Sequence, residues 1–373
     1  MKAYRMTIVL STYILFMLLF LSGCKPKTSE IVVPTKLSQN FVIQSKLNKN
    51  PRQTSLLLNF IQTKMLTSRG IYTNYRNVKS VNGITNGHQM LSESSGLWLI
   101  YLASTHQFKR FRVFYKATKK TFNQQIQFSY RYDPQTHQLS NVNATLDDLR
   151  IIRALQLYAT LTHSHYYRHE AAKRFSLLKT GSLKNGKLAN FYDVKTHKQS
   201  TNSSLAYYDF VTLKYFETVT TKGKKFYKHQ LHVVKQGYLG DAFPLYASSF
   251  NLKTYAYSNR SLNTSEALET VLHLAEVGEV KTETLNWLKI QIESGHLYNR
   301  YSTLGIVLDK SQSAANYSLA AMIFANAGDN REYQRAMRLA WQAQVTQKGS
   351  PLYGGLGDLK SKDAYSYNNF TGN

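Results

Sequence analysis

SESSGLWLIYLA, Ser92 to Ala103, places a carboxylate at the mouth of an apolar helix. From Leu97 onward the run is nearly all apolar, Ser92 is a good N-cap, and Glu93 lies just inside it. The segment therefore predicts a buried helix whose first turn is open to chemistry. An acid in a first turn commonly does no more than complement the helix dipole, so Glu93 gains meaning only from further carboxylates. The first lies in NATLDDLRIIRALQLYATL, Asn143 to Leu161, where Thr145 is a candidate cap and Ile151, Ile152, Leu155 and Tyr158 form an apolar stripe. Asp148 falls on that stripe, where a carboxylate is costly unless it is paired or working. Asp147 is rotated about 100° from it and precedes Arg150 by three residues, the spacing of a surface pair. Asp148 is accordingly read as functional and Asp147 as structural. The other carboxylate is Asp241, which a glycine-broken turn presents before Pro244 in GYLGDAFPLYASSF, Gly237 to Phe250.

Outward from these segments the chain is a succession of helices. Leu56, Leu57, Phe60, Ile61 and Met65 share one helical face before Gly70, and a second amphipathic helix spans Gln107 to Lys119. Gln125 to Tyr132 alternates as a short strand before the Asp133-Pro134 turn. Helices follow at His165–Leu178, Leu205–Glu217, Lys224–Lys235, Ser265–Val277, Glu283–Glu293, Ser311–Ala327 and Arg331–Gln344. Gly181 to Ser204 is a turn-rich excursion, Gly295 to Asp309 a connector, and the stretch from Pro351 irregular and frayed at its end. No sequence repeat shows at a fixed period, which disfavours a solenoid. The expected fold class is all-α, with helices paired in sequence into an α/α toroid and a few short strands in its loops.

The first residues give an address. Lys2 and Arg5 precede an apolar core from Thr7 to Leu21, too short for a comfortable membrane span, and LSGC follows at Leu21 to Cys24. This is the order of a secretory signal over residues 1–23, and the tetrapeptide resembles the lipobox of bacterial lipoproteins. Cys24 is the only cysteine of the chain, so it has no disulfide partner, and its expected use is to carry a lipid. Residues 24–50, polar and basic with Pro26 and Pro34, read as a tether, and 51–373 as the domain. The 47 lysines and arginines against 21 acids give a net charge of +26. Such a surface attracts polyanions, and outside a cell these include anionic wall polymers and lipid headgroups. No zinc finger, RNP-like strand or dense basic helix supports nucleic-acid binding.

Three pieces, in this order, resemble glycoside hydrolase family 8, the (α/α)6-barrel family that includes bacterial endoglucanases. Ser92-Glu93 with Gly96 matches the segment that carries the family's general acid, although Ser94-Ser95 and Leu97-Trp98 replace its usual continuation. Ala144-Thr145, Asp148, Leu149 and Ile151 match the Ala-Thr-Asp-Ala-Asp segment, with Leu146 in place of its first aspartate. Tyr238, Asp241-Ala242 and Pro244 resemble the segment carrying the general base, with Leu239-Gly240 inserted and Phe243 where an arginine is usual. The resemblance implies Glu93 as general acid, Asp241 as general base, and Asp148 as the residue that holds and distorts the sugar. The pattern is most similar to the divergent lipoprotein members associated with exopolysaccharide production.

An inverting glycosidase needs one protonated carboxylic acid and one carboxylate about 6.5–9.5 Å away, which activates water from the opposite face. A helix N-terminus favours the ionised form of Glu93, the wrong direction for an acid. A like charge close by, expected from Asp148, would offset this. Trp98, Tyr207, Tyr238 and Tyr246, with Arg150, are candidate sugar-binding residues, although single aromatics in a helical toroid more often pack the core. His163, His165 and His169 lack the metalloprotease pattern, GGLGD lacks the Lys-Ser/Thr of a phosphate loop, and no Gly-x-Ser-x-Gly elbow occurs. No metal or cofactor is expected. The reading is a monomeric, lipid-anchored extracellular glycoside hydrolase acting within a secreted polysaccharide. Its rival is a glycan-binding lipoprotein with weakened catalysis, favoured by Leu146 and by the missing arginine at Phe243.

Overall fold

The computed structural model describes residues 31–35, 47, 49–80 and 83–371. The signal segment and Cys24 lie outside them. Val32–Asn373 forms one compact unit. Among the described residues twelve α-helices account for most of the regular structure: α1 Pro51–Phe60, α2 Ser92–Ser104, α3 Phe108–Phe122, α4 Thr145–Thr162, α5 His165–Thr180, α6 Phe210–Glu217, α7 Thr221–Gln236, α8 Thr264–Ala275, α9 Thr282–Ser294, α10 Ala314–Asn326, α11 Asn330–Trp341 and α12 Ser366–Thr371. None of them is long and apolar enough to cross a membrane.

Burial sorts these helices into two kinds. Every residue of α4 from Thr145 to Ala159 is buried, and α2 and α10 are nearly as enclosed. A helix covered on all sides belongs to a core. In α3, by contrast, Phe111, Phe114, Tyr115, Thr118 and Phe122 are buried while Lys109, Lys116 and Lys120 face water, the pattern of an outer helix. The enclosed helices pack in sequence: α2 on α4, α4 on α6, α6 on α8, α8 on α10, α10 on α12, and α12 back on α2. The close approach of α2 and α4 requires Gly96, because a Cβ there would stand 2.8 Å from the Cβ of Arg150.

A recurrent turn precedes each enclosed helix. The side-chain oxygen of Asn74, Asp133, Asp193, Asn251, Asp309 and Asp358 accepts from the backbone N–H two residues on. Such Asx turns let a short side chain replace a backbone turn bond. At Asp133, Asp193 and Asn251 the similarity extends further. The N–H of Thr136, Thr196 or Thr254 also donates to the same oxygen, and His137, His197 or Tyr255 follows with positive φ. The spacing, close to 60 residues for the first five, is that of one helical hairpin with its loop, so a structural repeat exists where no repeat is evident in the sequence.

Several sequence expectations are corrected. Leu205–Glu217 is not one helix. A 3-10 turn at Leu205–Tyr207 is followed by α6, because the Asp209 side chain accepts from Thr212 N and starts a new helix. Gly295–Asp309 is largely a β-hairpin, Tyr298–Tyr301 against Val307–Gln312, joined on its other edge to Leu262–Asn263. The chain end is not frayed, since α12 has Ser366, Asn369, Phe370 and Thr371 buried against α2 and α10.

Candidate active site

The starts of α2, α4 and α8, together with α12, converge on Arg150. Its guanidinium is buried and donates from Nη1 to Glu93 Oε1 at 3.2 Å and to Asp147 Oδ1 at 3.4 Å, and from Nη2 to Glu269 Oε1. Asp147 also accepts from Ser92 Oγ at 2.9 Å, and Glu269 from the Tyr367 hydroxyl at 2.8 Å. One turn further along α4, Arg153 pairs with Glu276 and with Asp209, extending the network beneath the first. Burial alone would pull Arg150 towards neutrality, but Glu269, Glu93 and Asp147 outweigh it and hold the guanidinium charged.

The balance of charge at this point favours a proton on Glu93. Three carboxylates face Arg150, and Glu93 is the most open of them, with 24% of its side chain accessible against 8% for Asp147 and 10% for Glu269. Burial lifts its pKa, Arg150 opposes this, and the charges of Asp147 and Glu269 raise it again, for a net value of about 8. Asp147 is lifted by burial to about 7 against the pull of Arg150 and the Ser92 hydroxyl. Desolvation and two like charges thus overcome the helix dipole that opposes a protonated Glu93.

The structure places the two adjacent aspartates otherwise than expected. Asp148 accepts from Phe128 N at 3.0 Å and from Asn143 Nδ2 at 2.6 Å, tying α4 to the hairpin at Gln127–Phe128, and it is not among the groups acting on Glu93. Burial raises it to about 7 against those two donors. Asp147 is the neighbour of Glu93, and its contact with Arg150 is a buried pair rather than a surface one.

Asp241 does not join this cluster. It is exposed and accepts from the Tyr238 hydroxyl at 2.9 Å, while Lys281 lies 4.6 Å from the centre of the Tyr238 ring. Pro244 in the same loop accepts from Thr284 Oγ1 of α9, and burial raises Tyr246 with help from Glu279 and Glu283. The loop therefore sits on the connection from α8 to α9, whereas Glu93 is joined through Arg150 to Glu269, ten residues before Glu279. α8 ends at Ala275, so its last six residues, a rise of about 9 Å, separate Glu269 from that connection.

Of the aromatic candidates, only Tyr207 lies at the cluster. It is half-buried, and burial, Asp147, Glu93 and Glu266 all raise its pKa. Trp98 is buried, stacked on Tyr101 at 4.8 Å and edge-on to Phe370. Tyr246 is also buried and Tyr238 partly so, both beside Asp241. Glu269, Glu266 and Tyr367 escaped the sequence reading. Glu269 lies about 100° from Leu268 and 160° from Val271, off the apolar stripe of α8, so no stripe marked it. Glu266, one turn nearer the start of α8 on the same side, is exposed, and burial and Glu269 raise its pKa. Tyr367 carried no sequence signal, because its helix has only six residues.

No family model matches the chain. It is 26% identical over 271 residues to YdaJ of Bacillus subtilis, a protein assigned by name to the lipoproteins, covering 72% of this chain and 74% of that one. Among solved structures it resembles a novel alpha-amylase from Clostridium perfringens, with TM-score 0.79 and 27% identity over 89% of this chain and 98% of that one. It also resembles endoglucanase Cel10 of Klebsiella pneumoniae, a family 8 glycosyl hydrolase, with TM-score 0.57 and 15% identity over 77% and 98%. The fold is that of the family 8 glycoside hydrolases. The resemblance read from Ser92-Glu93 and Gly96 is thus matched by the whole arrangement of helices.

Proposed function

We propose that the chain is a glycoside hydrolase that cleaves within a secreted polysaccharide, with Glu93 as general acid. The observation that carries this reading is the Glu93 carboxyl, held protonated near neutral pH by burial, Asp147 and Glu269 while part of its side chain stays open. A protonated acid of this kind gives its proton to the leaving glycosidic oxygen. α2, α4, α6, α8, α10 and α12 serve as the inner ring of an (α/α)6 barrel, with the site at their N-terminal ends. The water-activating carboxylate is assigned to Glu266, which stands on the site's own rim, whose side-chain carboxylate makes no hydrogen bond or ion pair among the described residues, and which acts with Glu93 on Tyr207. The reaction is then an inversion: water loses a proton to Glu266 and attacks the anomeric carbon as the bond to the leaving oxygen breaks. Arg150 fixes the carboxylates, and Tyr207 offers the adjoining sugar a ring. The name of YdaJ and the Leu21–Cys24 motif support a lipid-anchored protein on the outer face of the membrane.

A second reading, a glycan-binding lipoprotein, is favoured by one observation: Asp241, which resembles the family's base, stands apart from Glu93. The test is to incubate the compact unit from Val32, beside Glu93→Gln, with exopolysaccharide of the producing organism, with α-glucan and with β-1,4-glucan, and to count new reducing ends. New ends that vanish in the variant support the hydrolase, and NMR of the first product's anomeric proton reports inversion. Binding to a polymer without new ends in either protein moves the assignment to the glycan-binding reading.

A further inference from the structure

At the end of the fold opposite Glu93, each inner helix turns into an outer one. Three successive corners, from α2 to α3, α4 to α5 and α6 to α7, lead into outer helices of one charge sign. α3 carries six lysines and arginines and no acid, and α7 carries five lysines and no acid. The one acid of α5, Glu170, is buried against Lys119 and Arg174. At the next corner, from α8 to α9, Glu283 pairs with Lys281, and Glu279 pairs with Lys235 near the end of α7. Apart from Lys119, Arg174 and Lys235, no lysine or arginine of α3, α5 and α7 pairs with an acid among the described residues, so this flank is strongly basic.

A solvated basic face needs no further explanation, but this one also holds apolar side chains out in water. Val113 is 67% exposed, Tyr166 64% and Val219 43%, one for each corner. Beside Val113 a groove of about 290 Å³ is floored by Leu66, Trp98, Leu102 and Phe114 and rimmed by Lys109 and Arg110. The described chain also reaches the domain at this end, where Gln334 in the first turns of α11 donates to the carbonyl of Leu47.

We propose that this flank docks on anionic phospholipid, its lysines and arginines on the headgroup phosphates and the Val113 groove taking the apolar boundary beneath them. Cations alone would suit any polyanion, but exposed apolar groups interleaved with them gain only where an acyl region is at hand. Docking in this orientation turns the Glu93 mouth away from the membrane, towards polymer outside it. The surface acts without help from the Cys24 lipid and is independent of the hydrolase reading.

The test uses the compact unit from Val32, with no lipid, and vesicles of phosphatidylcholine with and without phosphatidylglycerol. The unit sediments with the anionic vesicles only, and high salt releases it. Each basic residue near such a surface contributes about fivefold to partitioning, so K109Q with R110Q lowers it roughly twentyfold. V113D lowers it several-fold with an unchanged melting temperature, and K360E with K362E, near the mouth, leaves it within twofold. The proposal is overturned by equal binding to both vesicles, by no binding, or by equal losses in the Lys360/Lys362 control. It is also overturned if V113D is without effect while soluble polyglycerol phosphate binds as well as the vesicles, which would mark a face for soluble polyanions.

Discussion

The Glu93 cluster and the Asp241 turn differ chiefly in their access to water. Around Glu93, three carboxylates share one buried guanidinium, so each proton and charge is felt by its neighbours. Asp241 meets a single tyrosine hydroxyl on an exposed turn, where solvent screens whatever charge it carries. A carboxylate with a matching sequence context is thus no guide to burial. What raises the pKa of Glu93 is the low-dielectric packing of several helix starts against one another.

The largest expected effect that separates the two regions is on the rate. Glu93→Gln keeps the side-chain shape and removes the proton, and it should lower kcat by about 100- to 10,000-fold, read from initial rates of reducing-end release. Next comes stability. Arg150→Met leaves Asp147 and Glu269 buried without their cation and should cost about 3–5 kcal/mol in urea unfolding, whereas Lys281→Met, on the exposed side of Tyr238, should cost less than about 1 kcal/mol. Gly96→Ala forces α2 away from α4 and should cost about 1–3 kcal/mol by the same assay.

The paired aspartates sharpen the comparison further. Asp147→Asn removes a charge that raises Glu93, so the alkaline limb of the pH–rate profile should move to lower pH. Asp148→Asn should leave that limb in place and lower stability only. The smallest effect is on the pH dependence of unfolding. The folded-state pKa of Glu93, about 8, lies above its ordinary value of 4.5, so between those values the folded protein holds more protons than the unfolded chain. Stability therefore falls as pH rises through that window, and Glu93→Gln should raise the melting temperature at pH 8 more than at pH 5, by a few degrees at most.

Much of this arrangement was legible in the sequence because helix starts and apolar stripes are local. Glu93 in a first turn and the order of helices needed only spacing. The expected caps did not hold: α2 and α4 start after Leu91 and Ala144 with no side-chain cap, and the hydroxyls of Ser92 and Thr145 donate instead to Asp147 and to the Ala189 carbonyl. The side-chain directions of Asp147 and Asp148 were not legible. In a helix enclosed on every side the stripe no longer tells inside from outside, and Asp148 proved to be held by Asn143 and Phe128. Tyr367 and Glu269 were hidden for a different reason: Glu269 reaches Arg150 across the ring from α8, and Tyr367 joins them because α12 closes back on α2 and α10. The Asx-turn repeat was invisible because its common element is a single Asn or Asp with varied neighbours.

The account rests most heavily on which carboxylate serves Glu93 as partner. The direct measurement is the initial rate of reducing-end release by Glu266→Gln beside Asp241→Asn, on whichever polymer the unmodified unit cleaves. The account predicts a loss of about 100-fold or more for Glu266→Gln, with Asp241→Asn within about twofold of the unmodified protein because it stands apart from the buried cluster. A rate that survives in Glu266→Gln and collapses in Asp241→Asn would contradict it, and would return the base to the Tyr238 loop.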